Sequence, residues 1–178
     1  MSQLSMHTPI IDITITELEG SIISLDWGWS PFQETSPLLQ EAKQQLDAYF
    51  DGNLTDFDLP INPMGTKHQE KVWQAMIGIP YGDVMTYGAL AKSIGSAPQP
   101  VGSACGRNPL PILVPCHRVV GSGGKFGGYS GDGGLYTKRA LLVLEGALSI
   151  DEGKAMEAAG ILDGGKPKSS QLSFEQIT

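Results

Sequence analysis

The stretch Pro111-Ile112-Leu113-Val114-Pro115-Cys116-His117-Arg118-Val119-Val120 constrains this chain more than any other. An apolar, strand-like run carries a cysteine, with a proline before it and two basic side chains after it. Pro115 fixes one backbone angle and donates no hydrogen bond, which puts Cys116 at a defined bend and not within a ladder. The tetrapeptide Pro-Cys-His-Arg is a poor disulfide site and a good nucleophile site. Cysteine attacks as the thiolate, which forms more readily beside a histidine and under positive charge. His117 is the obvious base. Being adjacent in sequence, it is expected to reach Cys116 through a water, and it needs a third group to orient it.

A length of 178 residues allows one domain or two small ones, and 40% hydrophobic residues fits a soluble globular protein. No stretch approaches the length of a membrane span. No basic start followed by an apolar core suggests a signal peptide, so a cytoplasmic protein without membrane contact is expected. The two cysteines, Cys105 and Cys116, are expected to be reduced thiols. No internal repeat is visible.

The net charge of −7 argues against a general nucleic-acid binder, but the charge is uneven. Residues 1–65 carry net −9, residues 66–146 net +4 and residues 147–178 net −2. The positive part coincides with the cysteine motif, as phosphate contact would require. An ordinary acidic protein with one less acidic half would look the same.

Ile10, Ile11, Ile13 and Ile15, then residues 21–27, read as two strands around Glu19-Gly20. Ser36 caps a helix with Pro37 in its first turn. Leu38, Leu39, Ala42, Leu46 and Tyr49-Phe50 give it an apolar face, and Asp51-Gly52 ends it. The acids Asp12, Glu17, Glu19, Asp26 and Asp58 read as solvated surface. Residues 63–65 look like a linker, after which the pattern is mostly helical. Thr66 caps a helix carrying Val72, Trp73, Met76 and Ile77. Thr86 caps another with Leu90, Ala91 and Ile94, ended by Gly95. Pro100 opens a third, Val101 to Arg107. Two short helices joined through a glycine fit a helix-turn-helix, as they would any helical hairpin. The last helix has a small face: Gly102, Ser103, Ala104, Cys105 and Gly106. Small residues let a backbone come close to something, either another helix or an external partner.

Asn108-Pro109, the Pro111–Val120 run and Gly127-Gly128-Tyr129-Ser130-Gly131 together closely resemble the O6-alkylguanine-DNA alkyltransferases. Further matches are Gly65-Thr66-Lys67-His68-Gln69, Val72-Trp73 and residues 79–87. The likeness is strong over residues 60–146. It implies a DNA-repair protein that moves an alkyl group from guanine irreversibly onto its own cysteine, acting once on double-stranded DNA as a monomer. It also implies an α/β plus helical architecture. A small ribonuclease-H-like α/β domain would occupy residues 1–62, and a mostly helical, winged-helix-like domain with a helix-turn-helix residues 63–160. Residues 161–178 read as a flexible tail.

The resemblance assigns roles residue by residue. Cys116 is the nucleophile, His117 the base and Glu145 the orienting carboxylate, although Glu145 alone would read as a surface acid near a helix end. Tyr87 would give a proton to the leaving guanine or support the rotated phosphate; its plain role is a core tyrosine with a wet tip. Asn108 would tie the recognition helix to the active-site loop, and could also be a helix C-cap. Tyr129, Ser130 and Gly131 would line the guanine pocket, with the Val114 carbonyl and the Val119 backbone reading the base. Lys138 would lie near the cysteine loop, and Arg118 would position the loop or pair with an acid. Thr86, Gln99, Gly102, Ser103, Ala104 and Arg107 would face DNA, the small-faced helix lying in the minor groove.

Two departures stand out. Where the family usually carries an arginine near the start of the recognition helix, this chain has Gln99, which brings no charge. The Gly131-Asp132-Gly133-Gly134 segment is longer than the usual loop and adds an acid. No metal or other cofactor is expected, because the N-terminal half has no cysteine. Cys105 reads as a buried helix residue. Other readings are a lesion sensor that binds without transfer, against which Cys116 weighs, and a helix-turn-helix regulator. A thiol hydrolase would need an oxyanion hole that nothing in the sequence suggests.

Overall fold

The computed structural model describes residues 1–125 and 134–149. The N-terminal part is a three-stranded antiparallel sheet, β1 (Ser2–Met6), β2 (Ile13–Leu18) and β3 (Ser21–Trp27), in that order, packed against helix α1 (Pro37–Phe50). Glu19 and Gly20 both take positive φ, 51° and 77°, the conformation that matches a two-residue turn to the twist of the strands it joins. Ser36 caps α1 by accepting from the Leu39 amide at 3.1 Å, and Pro37 occupies the first turn, where no amide partner is lost. Leu39, Ala42, Leu46 and Tyr49 are wholly buried in a core with Ile13, Ile15, Ile22 and Leu25. Burial of a leucine such as Leu46 contributes about 1.5–3 kcal/mol, so Leu46→Ala would break the helix-sheet contact first.

β1 is absent from the sequence-based expectation. Its buried Ser5 hydroxyl meets that of Thr14 at 2.8 Å, and Gln33 and Ser30 bond into the same cluster. One face of this sheet is therefore closed by polar contacts, which weakens the apolar alternation that would have revealed the strand.

The second part is helical: α2 (Lys67–Ile77), α3 (Tyr87–Ser93), α4 (Pro98–Gly106) and α5 (Leu135–Leu144). Thr66 and Gln69 form a reciprocal capping box at α2. α3 and α4, joined by residues 94–97, pack on each other and on α2, where the Trp73 indole donates to the Ala104 carbonyl at 2.8 Å. α4 starts two residues before Pro100, the residue expected to open it. Pro98 stands at the first helical position and Pro100 at the third, both lacking intrahelical amide partners, so neither proline breaks the helix. The strand-like 111–120 run contributes only β5 (Val119–Val120), which pairs in parallel with β4 (Met85–Thr86). Its prolines and turns displace the rest from a ladder.

Two contacts join the parts. The Leu25 amide donates to the Pro109 carbonyl at 2.9 Å. The Tyr49 hydroxyl crosses to Glu145.

Candidate active site

The β4–β5 pairing decides what meets what. Met85 lies opposite Val119 and Thr86 opposite Val120. The start of α3, with Tyr87, is thereby set beside the chain leaving Cys116. Residues 110–120 are all buried. Within them Ile112 takes φ 74°, a region that β-branched residues rarely enter, and the Val114 amide closes the turn onto the Leu110 carbonyl at 2.7 Å. Cys116, 6% exposed, opens a single 3-10 turn, Cys116–Arg118. The bend expected from Pro115 is this turn.

Behind the thiol stands a buried polar chain. His117 Nε2 lies 2.8 Å from Glu145 Oε1. Arg118 clamps the same carboxylate twice: Nε donates to Oε2 at 2.9 Å, and its terminal Nη2 donates to Oε1 at 2.9 Å. Nη1 donates to the Ile79 carbonyl at 2.6 Å. The Tyr49 hydroxyl donates to Oε1 at 2.7 Å. Burial opposes ionisation of Glu145, but the hydrogen bond from His117 and the pairing with Arg118 overcome it and hold the carboxyl down at about 2. For His117 burial wins over the carboxylate, assisted by Arg118 and Lys138, and its pKa lies below the usual value. The ring is therefore neutral at pH 7. A carboxylate only accepts, so Nε2 carries the proton and Nδ1 the lone pair. Nδ1 is buried and finds no hydrogen-bond partner among the described residues. A neutral imidazole with one nitrogen oriented by a carboxylate and the other available is a general base.

The other flank is cationic. Lys138, fully buried on α5, donates to the Val119 carbonyl and sits 5.9 Å from the Tyr87 ring centroid. Burial pulls the ammonium down to about 8, against the attraction of Cys116 and Cys105. Burial, with both thiols nearby, pushes the Tyr87 phenol up to about 12, so it remains a proton-bearing donor. Cys105 is pushed up to about 12 by burial and by Cys116, and its thiol points to the Met76 sulfur at 3.5 Å. That is the environment of an inert core thiol.

Beyond Tyr87 lies an open pocket of about 590 Å³, lined by Tyr87, Gly88, Pro98, Gln99, Gly102 and Gly121 among others. The small face of α4 splits in two. Ala104 and Cys105 turn into the core, whereas Gln99, Ser103 and Arg107 are exposed and Gly102 is half-buried. A Cβ built on Gly102 or Gly106 meets no atom within 4 Å. Packing inside the protein therefore does not require these glycines, and they leave a low ridge facing outward. The charge on this half is less available than its total suggests. Arg118, Lys138 and Arg139 are buried, which leaves Lys67, Lys71, Lys92, Arg107 and Lys125 exposed.

The structure gathers Cys116, His117, Glu145, Lys138, Tyr87, Asn108, Val114 and Val119 around one loop. The Val114 carbonyl already accepts from Asn108, and the Val119 carbonyl from Lys138. Thr86 caps α3 by accepting from the Ala89 amide. Tyr129, Ser130, Gly131 and residues 132–133 lie outside the described residues, as does the tail 161–178. Tyr49 was missed as a site residue: it sits on an apolar helix face 96 positions from Glu145, and no local pattern carries that distance. No group of three His, Cys, Asp or Glu among the described residues could hold a metal ion.

Residues 67–147 match the DNA-binding domain of 6-O-methylguanine DNA methyltransferase, and residues 3–63 match its ribonuclease-like domain. A methylated-DNA–protein-cysteine methyltransferase of Methanosarcina acetivorans is 49% identical over 116 residues, which is 64% of this chain and 73% of that relative. The constitutive enzyme of that name from Bacillus subtilis is 43% identical over 138 residues, covering 70% and 84%. That of Mycobacterium tuberculosis is 51% identical over 106 residues, covering 58% of this chain and 63% of the relative. The crystal structure of Mycobacterium tuberculosis OGT in complex with DNA superposes with a TM-score of 0.74 at 38% identity, over 82% of this chain and 92% of that one. With both domain models matched in chain order, the second of them across the loop that carries Cys116, and with relatives at 43–49% identity, this chain belongs to the methylated-DNA–protein-cysteine methyltransferase family.

Proposed function

We propose that this protein repairs alkylated DNA by direct reversal, with Cys116 as the irreversible acceptor of an alkyl group from O6-alkylguanine. The observation that carries the reading is the buried chain Tyr49–Glu145–His117 with its Arg118 clamp, directly behind a thiol on a proline-bent turn. Outside the site, the bared glycines of α4 support contact with double-stranded DNA, since a low ridge can enter a minor groove. The alkylated base must leave the stack to reach Cys116, and the pocket beside Tyr87 is where it would arrive. The protein acts as a monomer on this reading, and in the cytoplasm.

His117 Nδ1 takes the thiol proton through a water, and the imidazolium that forms is balanced by Glu145. The Cys116 sulfur then forms a bond to the alkyl carbon as the bond from that carbon to O6 breaks. The electron pair passes to the departing guanine, which takes up a proton. Tyr87, which keeps its proton to high pH, is placed to supply that hydrogen bond. Lys138 holds positive charge beside the sulfur while it is anionic. The product is a thioether, which water does not reverse, so each molecule turns over once. Asn108 and Lys138 hold the Val114 and Val119 carbonyls of the loop that carries Cys116, and Thr86, Gln99, Gly102, Ser103 and Arg107 form the DNA-facing surface. Ala104 lies under it as packing.

Intact-protein mass after incubation with duplex DNA containing O6-methylguanine tests this. One added methyl group, lost in Cys116→Ser, is the expected result. Lesion DNA bound without any mass gain would replace transfer by lesion sensing.

A further inference from the structure

The Glu145 carboxylate receives four hydrogen bonds: two from Arg118, one from His117 and one from Tyr49. Three of them converge on Oε1 and one reaches Oε2. Three of the donors belong to the helical half. The fourth comes from α1, in the sheet domain. We propose that Tyr49 is a positioning residue for the transfer reaction: its hydroxyl, reaching across from the N-terminal domain, fixes Glu145 and thereby sets the proton affinity and orientation of His117. This rests on the reading of Cys116 and His117 given above.

The geometry supports a role beyond packing. Tyr49 is wholly buried, and its ring contacts Phe50 and Phe57 at 5.3 Å and Tyr81 at 6.1 Å between centroids. In such a nest a phenylalanine would pack as well. A buried hydroxyl is tolerated only with a partner, and the partner here is Oε1, the oxygen that faces His117. Burial and the Glu145 charge push the phenol well above its usual value, so it is a proton donor at neutral pH. A second strut runs the same way: the Leu25 amide on β3 holds the Pro109 carbonyl, at the start of the loop leading to Cys116. The N-terminal domain thus touches the site on both sides, at the carboxylate behind the base and at the root of the nucleophile loop.

The sign of the effect follows. The titratable and charged groups facing His117 are Glu145, Arg118 and Lys138, and those facing Glu145 are His117, Arg118, Tyr49 and Tyr81. Removing the Tyr49 hydroxyl withdraws one donor and leaves more charge on Oε1. A more basic carboxylate favours the imidazolium, so the His117 titration moves upward. The acid limb of the transfer rate moves with it, because protonated His117 cannot accept the thiol proton.

The test uses the full-length chain labelled with 15N-histidine, which carries three histidines: His7, His68 and His117. Ring nitrogens are followed against pH in the native protein and in Tyr49→Phe, alongside single-turnover methyl transfer over the same range. The expected result is an upward shift of the His117 titration alone. At the pH where the native rate is half-maximal, transfer should slow by about twofold or more. An unmoved His117 titration and acid limb, with only a lower melting temperature, would overturn the proposal and leave Tyr49 as packing. If the native protein transfers no methyl group, the reading of its function fails, while the His117 titration still decides whether Tyr49 governs that ring. If Tyr49→Phe does not fold, 3-fluorotyrosine placed at position 49 gives a more acidic donor. It must shift His117 downward, and no shift would equally overturn the proposal.

Discussion

Asn108 bridges the loop that carries the nucleophile: its Nδ2 donates to the Val114 carbonyl at 2.7 Å, while its Oδ1 accepts from the Leu110 amide at 3.0 Å. One side chain just past the end of α4 thus satisfies two buried backbone groups and holds that helix to the cysteine turn. Asn108→Ala leaves both groups without that partner and should cost about 1–3 kcal/mol. Asn108→Asp keeps the acceptor and loses the donor. Both variants should transfer more slowly, with Asp retaining more stability than Ala, as measured by denaturant midpoint and single-turnover rate. Equal stability in all three proteins would remove Asn108 from this role.

The Glu145 carboxylate is the group on which the acid limb of stability turns. Its folded value, about 2, lies below the usual 4.5. The unfolded chain therefore binds more protons between those limits, and stability falls as pH drops from about 4.5 to about 2, by roughly 3 kcal/mol at most from this group. His117, also depressed, adds to the loss below its usual 6.5. Glu145→Gln should flatten the lower part of this profile. It should also lower stability at pH 7 by about 3–5 kcal/mol, since Arg118 then remains buried without its counter-charge. Thermal melts of both proteins from pH 7 to pH 3 measure this.

How much of this was readable in advance depends on how far each contact reaches along the chain. The helix caps at Ser36, Thr66 and Thr86 are local hydrogen bonds, and each stands where the sequence places it. So is the Glu19-Gly20 turn. β1 escaped because its inward Ser5 is matched to Thr14 by hydroxyls and not by apolar surface. α4 begins two residues before Pro100, because either of its two prolines suits the first helical turn and the sequence does not say which one opens it. The Pro111–Val120 run has strand composition, yet its prolines and the Ile112 turn leave only two residues in a ladder. Arg118 was legible as loop support or an acid's partner, and it pairs with Glu145. From its neighbours alone Glu145 looks like a surface acid; in the structure it is 5% exposed. What buries it are donors 27, 28 and 96 positions away. The charge count misled in one respect, because buried Arg118, Lys138 and Arg139 serve the interior and leave the outer surface less basic.

Lys138 has a signature of the same sign on the alkaline side. Its folded value is about 8 against the usual 10.5, so the folded state sheds its proton first and stability rises with pH through that window. Cys105, held at about 12 against 9.0, works the other way above pH 9. The two are separated by comparison with Lys138→Met. Between pH 8 and pH 10.5 the native protein should gain stability relative to the variant, by up to about 3 kcal/mol. At pH 7 the variant should transfer methyl more slowly, having lost the cation beside Cys116. Parallel stability curves for the two proteins would mean that Lys138 is solvated and not buried.

Gln99 stands on the surface that the proposed function turns toward DNA. It is exposed on the first turn of α4, on the wall of the pocket beside Tyr87, and it brings no charge there. Arg107, at the far end of the same helix, is exposed and cationic. With Arg118, Lys138 and Arg139 buried, this half has fewer charges with which to displace counterions than its total suggests. Duplex binding should therefore be weak and shallow in its salt dependence. Gln99→Arg adds one cation at the pocket rim. If it meets a phosphate, affinity rises and the slope of log affinity against log salt steepens by about 0.9. Arg107→Ala should move both quantities the other way by a similar amount. If the added arginine instead enters the space left by the extruded base, the transfer rate on duplex DNA rises while the rate on free O6-methylguanine stays constant. Fluorescence anisotropy at several salt concentrations, with single-turnover rates on both substrates, distinguishes these outcomes. A variant matching the native protein in affinity, slope and duplex rate would show that position 99 does not contact DNA.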